Sequence, residues 1–114
     1  KKKNWGLPGG RIEAGEDFVD ALTRELEEEL FIKPTEYTEI GDYRYKGHYH
    51  RIFGTVYEQP LIKFDRRELL KIGWYSLDEV AAFEQADMLH AGFELLAISK
   101  YNAQYQKEII SEEN

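Results

Sequence analysis

Four residues within one short stretch, Arg24, Glu25, Glu28 and Glu29, have the types and spacing needed for phosphate chemistry. On a helix that turns about 100° per residue, the glutamates stand at i, i+3 and i+4 and share one sector of the surface. Val19, Leu22, Leu26 and Leu30 follow at the spacing of an apolar stripe, so the acid patch borders a buried face. Like charges at i, i+4 cost roughly 0.2 to 0.5 kcal/mol per pair, a sign that a bound cation reverses. Carboxylate oxygens are hard ligands suited to Mg²⁺ or Mn²⁺, and Mg²⁺ completes its octahedron with water and phosphate oxygens. An acidic run on a helix is more often just a solvated face, so the neighbouring spacing has to decide.

From Gly10 the chain reads five residues to Glu16, seven more, then Arg24, Glu25, Leu26, Glu27, Glu28, Glu29, Leu30, Phe31 and Ile32. This resembles the signature of the Nudix hydrolases, G-x5-E-x7-R-E-U-x-E-E-x-G-U with U bulky and aliphatic. The single departure is Phe31, where the family has its second glycine. Trp5, Gly6, Leu7, Pro8, Gly9 and Gly10 look like the family's lead-in, and WYSLDEV at 74–80 resembles a stretch common near its end. The likeness covers most of the chain, but its specificity lies in the box.

The resemblance implies an α/β fold, the Nudix-type α/β/α sandwich with a mixed sheet. It implies hydrolysis of a phosphoanhydride bond in a nucleoside diphosphate linked to another moiety, with Mg²⁺ or Mn²⁺ as cofactor. ADP-ribose, a nucleotide sugar, a dinucleoside polyphosphate and a modified nucleoside triphosphate all stay open as the small-molecule nucleotide substrate. By the same resemblance Glu25, Arg24 and Glu28 are catalytic, with Arg24 orienting Glu25 or Glu28. The Gly9 carbonyl, Glu25, Glu28, Glu29 and a late-loop carboxylate, Glu68, are the metal ligands. Glu16 serves the metal site directly or through water. Trp5, Arg11, Tyr49 and Arg51 are the substrate-binding candidates. Tyr49 lies at about the distance beyond the box where some dinucleoside polyphosphate hydrolases carry a tyrosine, although most tyrosines in so tyrosine-rich a chain are structural. The alternative is a noncatalytic nucleotide-binding sensor module. Phe31 favours it, and the intact Glu25, Glu28 and Glu29 oppose it.

A length of 114 residues suits one domain, 1–114, with a single core. The net charge of −7 argues against broad nucleic-acid binding, which needs a cationic surface to displace counterions. Segment 44–71 is nevertheless rich in Arg and Lys, a wall suited to a polyphosphate or simply ordinary surface charge. No cysteine is present, which excludes disulfides and thiolate sites, and no long apolar run indicates a membrane. A cytoplasmic location is the expectation. The sequence begins at Lys1 without a methionine and lacks the strands that normally precede a Nudix box, so an N-terminally incomplete sheet and a homodimer are expected.

Around the box, residues 5–7 are expected to form a short strand broken by Pro8, Gly9 and Gly10. Asp17 is the N-cap of a helix over 18–30, with Asp20 three residues on. Phe31 would stop it in the left-handed conformation at a cost of about 1 to 2 kcal/mol and pack into the core, while Pro34 prevents continuation. Aromatic and β-branched residues in 36–46 and 49–58 predict a hairpin joined at Gly47 and His48. A charged loop over 59–70, a strand over 71–75, a capping box from Ser76 to Glu79, and a helix over 91–107 burying Phe93, Leu96, Ala97 and Tyr101 complete the chain.

Overall fold

Asp17 starts the helix that carries the acidic patch: its Oδ1 accepts the Asp20 N–H at 2.8 Å, and α1 runs Phe18–Leu30 as expected. In the computed structural model the described residues are 5–67, 69 and 71–113, with side chains described as far as 104. They fall into two compact units. One consists of the described residues of Lys1–Gly6, Glu39–Gly54 and Tyr75–Asn114, the other of Leu7–Thr38 and Thr55–Trp74.

The second unit holds α1. Ala21, Leu26 and Leu30 are its buried residues, whereas Val19 is exposed and Leu22 half-buried. The buried stripe is thus rotated toward Ala21 relative to expectation. At the C-cap Phe31 does adopt the left-handed conformation, φ 56° and ψ 38°, and its N–H donates to the Glu27 carbonyl at 3.1 Å. Its ring, however, is not in the core. Phe31 is 57% exposed, with the Lys63 ammonium 5.8 Å from the ring centroid. The αL turn aims the Cβ of the cap residue away from the helix body, so the side chain covers the helix end from outside.

β1 (Thr38–Tyr45), which from Glu39 onward belongs to the first unit, and β2 (His48–Gly54) pair as a hairpin. Lys46 and Gly47 both have positive φ, 51° and 81°, the mark of a two-residue type I′ connection. That loop sets Asp42 opposite Arg51 and Arg44 opposite Tyr49 on one face. On the other face Tyr43 stacks on Phe93 at 5.3 Å and His50 approaches the same ring at 5.5 Å. Gly54 meets Tyr101 so closely that any Cβ there would overlap the ring.

Ser76 caps α2 (Leu77–Gln85) with both hydrogen bonds of the capping box, Glu79 N–H to Ser76 Oγ at 3.1 Å and Ser76 N–H to Glu79 Oε1 at 2.8 Å. This helix packs on α3 (Glu94–Glu113), where Ala97 is completely buried and Leu96 is exposed, contrary to the expected core spacing. The start of α3 is set by buried Glu94, whose carboxylate accepts the Ala91 and Gly92 N–H groups at 2.9 and 2.8 Å. Neither short strand expected beside the box forms. Trp5 makes a single parallel bridge to Leu89, and the described residues of 71–75 are irregular. The fold is mixed α/β, with backbone pairing of both senses.

Candidate active site

The candidate site residues of the Leu7–Thr38 stretch are organised by one arginine. Arg24 sits in the second turn of α1, where its long side chain reaches back over the turn at 11–16. Its Nε donates to Glu16 Oε2 at 2.7 Å and its Nη2 to Glu16 Oε1 at 3.1 Å. Nη2 also donates to the Arg11 carbonyl at 3.0 Å, and Nη1 to Glu25 Oε1 at 2.8 Å and Glu28 Oε1 at 3.3 Å. Glu13 Oε2 adds an ion pair at 3.7 Å. One cation therefore gathers four carboxylates, which explains how Glu25 and Glu28 tolerate each other on the same helix.

Charge-assisted hydrogen bonds of this kind hold both partners ionised. The hydrogen bond from Arg24, reinforced by the Glu13 N–H, holds the Glu16 carboxyl below the usual carboxylate range. Hydrogen bonds to Glu16 and then Glu25 push Arg24 further above its already high value. Both effects fix the charge pattern throughout the neutral pH range.

The loop before the helix shapes the site by what it lacks. A Cβ on Gly10 would overlap the Glu25 carboxyl group, so the missing side chain lets that carboxylate lie against the loop backbone. Gly9, at φ 144°, has open space where a Cβ would stand. The Glu25 side chain is 16% exposed and that of Glu28 58%. Among the described residues Arg24 occupies Oε1 of each, leaving Oε2 of each for a cation or a water.

Glu29 is half-buried on the adjoining turn, and its carbonyl accepts the Asp65 N–H at 2.8 Å. Glu68 lies outside the described residues. No group of three His, Asp or Glu side chains arranged to hold a metal exists among the described residues. The donor chemistry nonetheless fits a hard divalent ion, because Mg²⁺ ordinarily takes only one or two protein carboxylates.

Of the expected substrate contacts, Arg11 lies in this unit and contributes its carbonyl to Arg24. Trp5, Tyr49 and Arg51 belong to the other unit and are each engaged there. Trp5 stacks on Phe83 at 5.0 Å and meets Tyr75 edge-on at 5.1 Å. Tyr49, 71% exposed, lies under the Arg44 guanidinium at 5.4 Å. Arg51 grips Asp42 through Nε at 2.8 Å and Nη2 at 3.0 Å and approaches Glu39 at 3.1 Å. Glu13 was not anticipated. Its only signal in the sequence is a carboxylate three residues before Glu16, which no helical or strand period singles out.

No helix among the described residues is long and apolar enough to cross a membrane. Comparison with curated proteins gives no match, and comparison with solved structures gives none. Among family models, that of the NUDIX domain matches residues 1–95, a span that contains the whole Arg24 cluster. The chain belongs to the NUDIX domain family.

Proposed function

We propose that residues 1–114 work as one hydrolase domain that cuts a phosphoanhydride bond in a nucleoside diphosphate linked to another moiety, using Mg²⁺ or Mn²⁺. The observation that carries this reading is the shared Arg24 Nη1, which holds Glu25 and Glu28 side by side with one oxygen of each left over. Glu28 and Glu29, with the Gly9 carbonyl, are the groups that would hold the ion, which leaves the remaining oxygen of Glu25 for the water. When bound, the ion supplies neutralisation of phosphate charge and activation of a water.

The chain's own residues do the rest. Glu25, fixed between Arg24 and the Gly10 backbone, accepts the proton of the attacking water. The water oxygen bonds to phosphorus, the bridging P–O bond breaks, and the distal phosphate departs with the bond's electrons. Arg24 keeps Glu25 in place and does not touch substrate. Glu16 holds Arg24 by two hydrogen bonds, so its role is to position the arginine. Trp5, Arg11, Tyr49 and Arg51 stay as proposed substrate contacts. Arg51 would have to exchange Asp42 for phosphate to serve as one.

The test is turnover of a nucleotide panel with Mg²⁺ and Mn²⁺, for the wild type and Glu28→Gln. Metal-dependent hydrolysis that falls by about 10³-fold in Glu28→Gln, with unchanged circular dichroism, is expected. Tight nucleotide binding without turnover would replace the hydrolase with a sensor.

A further inference from the structure

The loop that follows β2 brings positive charge to the C-terminal end of α1 that the hydrolytic scheme does not use. Its attachment is specific. The Asp65 N–H donates to the carbonyl of Glu29 at 2.8 Å, tying the loop to the turn that carries a proposed metal ligand. Asp65 also shapes the chain beyond it, since its Oδ1 accepts the Arg67 N–H at 3.0 Å in a local side-chain turn.

Around this anchor the cations divide into two kinds. Lys33 pairs with Glu27 at 3.3 Å and Arg67 with Asp65 at 3.2 Å, so carboxylates neutralise both. Lys63 instead stands 5.8 Å from the centroid of Phe31, and the Arg66 guanidinium 4.7 Å from that of Phe64. An aromatic face orients a cation without cancelling its charge. Among the described residues neither Lys63 nor Arg66 has a carboxylate partner. The ring under Lys63 belongs to Phe31, the one position where the box departs from the family pattern, and it is exposed because the αL cap turns it outward. The departure from glycine thus supplies the platform on which a cation is held at the C-terminal end of α1, whose last turn carries Glu28 and Glu29.

We propose that Lys63 and Arg66 form an anion subsite for phosphate groups of the substrate beyond the bridge that is cut. The ligand class is a nucleotide with a phosphate run longer than a diphosphate, such as a nucleoside triphosphate or a dinucleoside polyphosphate. Nucleoside diphosphate sugars, which have no further phosphate, do not use it. The specificity part of this proposal rests on the hydrolase reading, whereas the anion site can be tested without it.

Calorimetric titration of the protein in EDTA with inorganic tripolyphosphate reads the site with neither metal nor turnover. Lys63→Gln with Arg66→Gln is expected to weaken binding at least tenfold, the scale of a lost hydrogen bond to a charged group. Lys63→Arg with Arg66→Lys restores it. In the presence of Mg²⁺ the Gln pair raises KM for a nucleoside triphosphate by a similar factor, leaves kcat within about twofold, and leaves KM for a nucleoside diphosphate sugar unchanged. Equal tripolyphosphate affinity in wild type and Gln pair, no binding by the wild type, or a lowered melting temperature as the sole effect would each overturn the subsite. The last is what cations serving only the helix dipole would produce. A binding difference in a protein that hydrolyses nothing sinks the hydrolase reading and leaves the subsite standing.

Discussion

Arg24 and Glu16 meet through two nearly parallel hydrogen bonds, Nε to Oε2 at 2.7 Å and Nη2 to Oε1 at 3.1 Å. Only a planar fork makes that contact while a remaining nitrogen faces Glu25 and Glu28. Lysine offers a point charge and cannot do both. On the proposed mechanism Arg24→Lys should therefore lower kcat by about 10²-fold, because a displacement of Glu25, the proposed base, by about 1 Å costs that much, with a smaller change in KM. Steady-state kinetics with Mg²⁺ decide it, and a rate near wild type removes the positioning role from Arg24.

Gly10 and Glu25 predict a separation of stability from activity. An alanine Cβ at position 10 collides with the Glu25 carboxyl group, the far end of a flexible side chain, which can swing aside cheaply. The backbone at Gly10 is not in the positive-φ region, so alanine also gains by restricting the unfolded chain, by about 0.4 to 1 kcal/mol. Gly10→Ala should keep its melting temperature within a few degrees, on the scale of about 1 kcal/mol, and lose activity by about 10²-fold as Glu25 leaves Arg24. Thermal unfolding beside kinetics tests both halves, and full activity would show that the Glu25 position is immaterial.

Which of these relationships can be seen in the amino-acid order depends on how local they are. Asp17 with Asp20 and Ser76 with Glu79 act within a few residues, and their helices are legible from spacing alone, whereas the hairpin is legible but its turn, expected at Gly47 and His48, lies one residue earlier at Lys46 and Gly47. The box glutamates were legible for the same reason, being fixed by helical period. Trp5 is different. Its pairing partner is Leu89, far along the chain, and a single bridge with ring stacking replaces the expected strand. Val19 and Leu96 fit an apolar period yet are exposed, because which side of a helix is buried is set by the surfaces packed on it. Glu13 and the Asp65 tether escape detection since both act from irregular backbone, where no period exists to mark them.

Acid should destabilise the fold through three identified carboxylates. Hydrogen bonds from Arg24, Arg51 and Arg67 hold Glu16, Asp42 and Asp65 respectively below the usual carboxylate range. A carboxylate with a depressed folded-state pKa binds fewer protons folded than unfolded. Its contribution is therefore complete above the unfolded value of about 4 and is lost as pH falls through the lower folded value. The melting temperature should be nearly flat above about pH 5 with respect to these groups and drop below about pH 4. Glu16→Gln should have a shallower drop than wild type. Parallel melting curves between acid and neutral pH measure it, and an unchanged acid slope in Glu16→Gln would remove Glu16 from the balance.

At Phe31 three small effects compete, and two substitutions separate them. The αL conformation, φ 56°, costs a non-glycine residue about 1 to 2 kcal/mol, and the ring's contact with Lys63 returns about 0.5 to 1 at an exposed site. Phe31→Ala keeps the backbone cost and loses the contact. Phe31→Gly also loses the contact and relieves the backbone, but adds an entropic penalty of about 0.5 to 1 kcal/mol in the unfolded chain. The glycine variant should thus be more stable than the alanine variant by roughly 1 kcal/mol and close to the wild type. Urea unfolding of all three proteins resolves a difference of this size. An alanine variant as stable as the glycine variant would mean that the left-handed cap costs position 31 no more than the entropic penalty of glycine, about 0.5 to 1 kcal/mol.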